Sequence, residues 1–166
     1  MAEQRKTIIL VRHGESTNNV AKRTLKRTLR LERWPVGNEW QQLRSLLSFP
    51  MDTPLSSNGE AMLQKQRIAI EASGFFSMHG AQVQIVLHSP LQRARRTGEA
   101  LFGGGSLELI EDSAIYEKSL AEHAGLRSLR QRTTSFTAAL LERPEECIAV
   151  VGHSAFFRDL QFADGG

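Results

Sequence analysis

Three apolar runs of strand length, Thr7 to Arg12, Val83 to His88 and Cys147 to Gly152, each end in a polar cluster, and this pattern restricts the fold more than any other feature. A near-continuous apolar run suits a strand covered on both faces, as in a parallel sheet flanked by helices. A weaker fourth strand is expected at Leu107 to Ile110. Helical patterns fall between the strands. Ala61, Met62, Ile68, Ala69 and Ala72 share one helical face, and Ser57 with Glu60 forms a capping-box signal at its start. Pro90 is expected to open a second helix running to about Leu101, and Leu126 to Leu141 fits a third. Alternation of strand and helix predicts an α/β fold with a mainly parallel central sheet, in which ligands bind off the carboxyl ends of the strands.

The polar clusters lie at those ends. Arg12-His13 follows the first run, His88-Ser89-Pro90-Leu91-Gln92-Arg93 the second, and Gly152-His153-Ser154 the last. One crevice should therefore gather two histidines and two arginines. Guanidinium groups beside imidazoles disfavour a divalent cation, so no metal site is expected. They suit an anion. Arg12 and Arg93 form a candidate clamp for a phosphoryl group, and a neutral imidazole is a competent nucleophile toward phosphorus.

Length and composition set the remaining bounds. With 166 residues, 40% hydrophobic and 23% charged, the chain reads as one domain over residues 1–166. Its first apolar stretch is far too short to span a bilayer and unlike a signal-peptide core, so a cytoplasmic location is expected. Cys147 is the single cysteine, which excludes an internal disulfide and a thiolate zinc finger, and its apolar surroundings predict a core position. The net charge of +3 is concentrated in a basic segment at about 20–51 containing Lys22, Arg23, Lys26, Arg27, Arg30, Arg33 and Arg44. That segment reads as a solvated basic helix or loop, with docking to an acidic partner or membrane surface as its alternative. Its aromatics, Trp34 and Trp40, are too few for a base-stacking platform, so nucleic acid is not an expected partner.

Four blocks in order then resemble a known family. Arg12-His13-Gly14-Glu15-Ser16 with Asn19 matches an R-H-G-x-S-x-x-N pattern; Asp52-Thr53-Pro54-Leu55-Ser56-Ser57-Asn58-Gly59 is similar to D-x-P-L-T-x-x-G; Ser89 to Thr97 is similar to S-x-L-x-R-A-x-x-T; and Val150-Val151-Gly152-His153-Ser154 matches a late V-x-H strand end. Together they resemble the histidine phosphatase superfamily, the phosphoglycerate mutase-like family. The resemblance implies a three-layer α/β/α fold and two-step phosphoryl transfer through a phosphohistidine on His13, without metal or organic cofactor. It implies that Arg12, Arg93 and a protonated His153 surround the phosphate, that Asn19 and Ser154 contribute to its binding, and that the other ring nitrogen of His13 donates to a nearby backbone carbonyl. It also implies a carboxylic acid between the third and fourth blocks that protonates the leaving group. Ile115-Tyr116-Glu117-Lys118 is similar to the family's L-x-E stretch, which makes Glu117 the candidate, with Glu122, Glu111 and Asp112 nearby as alternatives.

Departures from the pattern bear on function. The interval from Asn19 to Asp52 is longer than is usual in the family and holds the basic segment, readable as a substrate lid or a partner-binding insert, while Trp34 and Trp40 are expected to anchor it to the domain. The chain ends shortly after His153, so late elements of longer members are expected to be missing. Glu117-Lys118-Ser119-Leu120-Ala121 lacks the E-R-H-Y-G-like sequence of recognisable mutases. A phosphatase acting on phosphate monoesters, small or on a protein, is therefore expected ahead of a mutase-type phosphotransferase, with a non-catalytic phosphate-binding module as a reading from another class. Of the remaining histidines, His79 and His123 are expected at the surface, and His88 either packs or borders the pocket.

Overall fold

A computed structural model describes residues 6–29, 35–41, 52–74, 82–105 and 107–162. The strands are β1 (Thr7–Arg12), β2 (Ile85–His88), β3 (Glu108–Glu111) and β4 (Cys147–Gly152), and they form one parallel sheet in the order β1-β4-β2-β3. The helices are α1 (Thr17–Leu29), α2 (Ser57–Ser73), α3 (Gln92–Phe102), α4 (Leu120–His123), α5 (Leu129–Glu142) and α6 (Ser154–Phe162), with a 3-10 turn at Ser113–Ile115.

Strand alternation sorts the core into two clusters, one on each face of the sheet. Ile85, Leu87, Ile148 and Val150 pack with Phe136 and Leu140 of α5 and Phe156 of α6. Val86, Ala149 and Val151 pack with Ala94 and Phe102 of α3 on the other face. The architecture is thus the expected three layers. Every residue of β2 and β4 is buried, whereas β1, at the edge, is only half-buried along its middle and exposed at both ends, less covered than its apolar run predicts. Cys147 is a buried core residue.

Element boundaries differ from the predicted ones for local reasons. The second strand begins at Ile85; just before it Gln84 N donates to Cys147 O at 2.9 Å and the Gln84 side-chain oxygen accepts from Glu146 N and Cys147 N at the start of β4. The N-cap of α2 is Ser56, whose hydroxyl accepts from Gly59 N at 3.0 Å, one residue before the predicted cap. Helix α3 begins at Gln92 rather than Pro90; its first backbone N–H donates to Asp52 Oδ1 at 2.7 Å, so the second block caps the helix of the third. Ser128 caps α5, after Gly125 turns the chain at φ 73°, which leaves Leu126 outside the helix. In the basic segment, α1 buries Ala21 and Thr24 and exposes Lys22, Arg23, Lys26 and Arg27. Trp40 is 52% exposed and so is not the anchor predicted; Trp34, Arg30, Arg33, Arg44 and His79 lie outside the described residues. Among the described residues no helix is long and apolar enough to cross a membrane.

Candidate active site

Parallel register brings the first and last polar clusters to one level. Arg12 pairs with Gly152 and His88 with Val151, so His13, Ser89 and His153 each leave the sheet at the carboxyl end of neighbouring strands. The backbone confirms the convergence: His13 N donates to Gly152 O at 3.0 Å and Ser89 N to Val151 O at 3.0 Å.

The His13 ring is 8% exposed, and its Nδ1 donates to Gly14 O at 2.7 Å, which leaves Nε2 as the unprotonated nitrogen. Burial lowers its pKa below the usual histidine value, the Gly14 carbonyl acts against this, and the Arg93 and Arg12 charges lower it further. The ring centroids of His13 and His153 are 5.0 Å apart. His153 is fully buried, with Nε2 2.9 Å from Ser89 Oγ and Nδ1 without a hydrogen-bond partner among the described residues. Burial, reinforced by the neighbouring His13 and Arg93, pushes its pKa down to about 3. Burial and these neighbours favour the neutral ring in the ligand-free site, whereas the protonated form expected from the sequence belongs to the phosphate-bound site, where an anion opposes them.

Arg93 is buried on the first turn of α3 and pairs with the half-exposed Glu117 carboxylate. Arg12 is exposed at the end of β1. Asn19 turns its Oδ1 to Ser16, accepting from Ser16 N at 3.1 Å and from Ser16 Oγ at 2.7 Å, so its oxygen braces the loop after His13 and its amide nitrogen remains as a donor. Ser154 is half-buried at the start of α6. The structure thus groups His13, His153, Arg93 and Glu117 through direct contacts or Coulombic coupling, with Arg12 coupled to both histidines.

Several residues that the sequence reading left without a role hold this group in place. Ser89 is the partner of His153. Thr97 Oγ1 accepts from Gly14 N at 3.0 Å and donates to Arg93 O at 2.7 Å, tying the loop after β1 to α3. Glu15 accepts from Ser56 Oγ at 3.0 Å and pairs with Arg23 at 2.7 Å. Gly59 packs so closely on Glu15 that an added Cβ would stand 2.3 Å from its carbonyl oxygen, which explains the glycine in the second block. Ser89, Thr97 and Gly59 stand at fixed positions of the quoted motifs, and that was the available signal.

Among the alternatives to Glu117, Glu122 is consumed. Arg132 holds both of its oxygens at 2.8 and 2.9 Å, and this pairing lowers its pKa to about 2, so it stays an anion. Asp112 caps the 3-10 turn by accepting from Ala114 N at 2.8 Å, and Glu111 is exposed at the end of β3. Arg132 also donates to Ala114 O and Tyr116 O, each at 2.7 Å, and so grips the coil that presents Glu117. His88 is buried with Nδ1 donating to Ser89 O at 3.0 Å, a packing position, and His123 is exposed. Arg95 and Arg96 pair with Glu99 on the exposed side of α3. Among the described residues no group of three His, Cys, Asp or Glu side chains is arranged to hold a metal ion.

The histidine phosphatase superfamily (branch 1) matches the chain over residues 37–155, so the chain belongs to that superfamily. The matched span contains the second, third and fourth blocks; Arg12-His13 lies ahead of it and joins them through the β1–β4 pairing. Comparison with curated protein sequences returns no match. Among solved structures, Bacillus stearothermophilus YhfR is similar at 19% identity and a TM-score of 0.61, over 95% of this chain and 79% of that one. A mycobacterial glucosyl-3-phosphoglycerate phosphatase is similar at 16% identity and 0.56, over 94% and 78%. Entamoeba histolytica phosphoserine phosphatase, in complex with 3-phosphoglyceric acid, is similar at 16% identity and 0.57, over 94% and 78%. At these identities the likeness is one of fold.

Proposed function

We propose that this protein is a phosphatase that hydrolyses phosphate monoesters through a phosphohistidine on His13. The observation that carries the reading is the Nδ1 bond of His13 to Gly14 O, which leaves an unprotonated Nε2 beside Arg93 and His153. In the first step Nε2 attacks phosphorus and the ester P–O bond breaks. Arg12, Arg93 and the Asn19 amide stabilise the equatorial oxygens, and Ser154, at the start of α6, binds there as well. As the phosphoryl oxygens occupy Arg93, the Arg93–Glu117 pair opens, and the freed carboxyl takes up a proton and passes it to the departing alkoxide. In the second step Glu117 accepts a proton from water, the water oxygen attacks phosphorus, and His13 and inorganic phosphate are released. The incoming dianion also offsets the factors that keep His153 neutral, so its imidazolium form becomes available in the complex. No step needs a metal or an organic cofactor. The lone buried Cys147 fits a protein of the reducing cytoplasm.

The test is hydrolysis of p-nitrophenyl phosphate in chelator-containing buffer between pH 4 and 8. Wild type should be active, His13→Ala inactive, and Glu117→Ala slowed by about 10² to 10⁴-fold. Dependence on added metal, or full activity of His13→Ala, would overturn the reading.

A further inference from the structure

The cations of α1 are matched differently from those on the other surface helices. Between Thr17 and Leu29 the helix carries Lys22, Arg23, Lys26 and Arg27 and no acidic residue. Arg23 pairs with Glu15, and among the described residues Lys22, Lys26 and Arg27 form no ion pair. Elsewhere exposed arginines have carboxylates at hand: Arg67 has Glu71, and Arg95 and Arg96 share Glu99. At about 100° per residue the four cations of α1 fan over an arc of about 140°, opposite the buried Ala21 and Thr24. Lys22 with Lys26, and Arg23 with Arg27, stand four residues apart, a spacing at which like charges destabilise a helix. Attraction to the helix dipole offsets this for Lys26 and Arg27 in the last turn, but not for Lys22. Such a face gains when an anionic surface covers it.

Apolar side chains accompany the cations. Leu25, on the flank of the arc, is 39% exposed, and Val36 and Trp40, in the stretch of chain that follows α1, are 63% and 52% exposed. A soluble polyanion would answer the cations and offer nothing to Leu25, Val36 and Trp40. The boundary of an acidic bilayer answers both, because headgroups take the ammonium and guanidinium groups while aliphatic and indole side chains enter the acyl margin.

We infer that α1, with the exposed apolar residues beside and after it, docks on a bilayer surface that contains acidic phospholipid. The experiment is cosedimentation of the full chain with vesicles of phosphatidylcholine containing about one-third phosphatidylserine, at about 0.1 M salt, where exposed charges act across about 10 Å. Wild type should bind these vesicles and not vesicles of phosphatidylcholine alone. Each cation near an acidic bilayer contributes about fivefold to partitioning, so the triple variant Lys22→Gln, Lys26→Gln, Arg27→Gln should bind about 10²-fold more weakly. Trp40→Ser should weaken binding less, by about tenfold or under. Salt at about 0.5 M, where the screening length is about 4 Å, should release wild type. Arg23 is left in place because its partner Glu15 braces the loop after His13. The triple variant should keep the wild-type thermal melt, since the three side chains are exposed; should it melt early, Lys22→Gln alone reads the same effect at about fivefold. No binding to the acidic vesicles, equal binding to phosphatidylcholine alone, or undiminished binding by the natively melting variant would overturn the inference. Binding to polyglutamate or an RNA oligomer that exceeds vesicle binding at equal anionic charge would also overturn it, and would assign the face to a soluble polyanion.

Discussion

His13 leaves the end of β1, the edge strand of a parallel sheet, whereas Glu117 stands on coil between a 3-10 turn and a four-residue helix. The two halves of the candidate site therefore depend on different supports. On the nucleophile side, the paired register of β1, β4 and β2 fixes the backbone of His13, Ser89 and His153, and short local bonds then set each ring. On the acid side one side chain, Arg132 of α5, spans Ala114 O, Tyr116 O and both oxygens of Glu122, and its guanidinium lies 5.2 Å from the centroid of Phe156. A position held by a sheet ladder has many redundant bonds. The Glu117 coil has no ladder, and beside Arg132 it is held by the Asp112 cap, the Arg93–Glu117 pair and the burial of Ile115.

Substitution on each side should expose that contrast. The largest effect is expected for His13→Ala, where loss of the nucleophile should lower kcat on p-nitrophenyl phosphate by about 10⁴-fold or more, with a cooperative thermal melt retained because the strands carrying the site remain paired. Arg132→Met is expected next. It leaves the carboxylate of Glu122, 6% exposed, without its counter-charge, a loss of about 3 kcal/mol or more by chemical denaturation, and loosens the Glu117 coil. A double variant separates the two consequences. Arg132→Met with Glu122→Met removes the unpaired charge and should recover stability, yet kcat should remain low because Ala114 O and Tyr116 O are still unheld. Recovery of kcat together with stability would show that Arg132 does not position the acid.

The same contrast decides what was legible in the sequence. The strand ends could be read because β2 and β4 are apolar up to their last residue, and three such runs in alternation with helices leave few arrangements for the polar residues that follow. The gathering of His13, Arg93 and His153 at one crevice is legible in that way. The candidate acid, Glu117, is reached only by resemblance. Its rival Glu122 is eliminated by Arg132, ten residues away, and the coil is gripped by the same arginine, sixteen residues from Tyr116, contacts with no local signature. The lowered pKa of His153 is not legible in the sequence for a related reason: sequence shows the neighbouring cations but not the complete burial that acts with them. The cap at Ser56 lies one residue before the expected one because the sequence signal is the Ser57–Glu60 spacing, whereas in the fold Gly59 N donates to the Ser56 hydroxyl.

Gly59→Ala tests the joint between the loop after His13 and α2. The added Cβ would meet the Glu15 backbone, which is already bonded through its carbonyl to Ser56 N at 2.8 Å and cannot yield cheaply. Destabilisation of about 1–3 kcal/mol in urea unfolding is expected, together with a smaller fall in kcat as the loop shifts. A variant as stable as wild type would mean that the loop is free to move and that the sheet alone sets His13.

The most gradual expected effect, spread over several pH units, is a pH dependence of stability that belongs to the nucleophile side. His13 and His153 both have lowered pKa values in the fold, the latter about 3, against about 6.5 in an unfolded chain. Below about pH 6.5 the unfolded state binds protons that the folded state refuses, so stability is fully present above that pH and falls as pH drops toward 3. The slope cannot exceed about 1.4 kcal/mol per pH unit for each histidine. Glu122 adds a separate loss at lower pH, as its carboxylate titrates between its usual value and about 2. Urea unfolding at pH 7.5, 6, 5 and 4 should therefore show declining stability, and His153→Gln should decline less steeply over the same range. Vanadate or phosphate should flatten the wild-type slope, because an anion at Arg12 and Arg93 favours the imidazolium and raises the folded-state pKa. A slope unchanged by both His153→Gln and the anion would mean that burial does not hold His153 neutral, and the charge it brings to the transition state would then be present before substrate arrives.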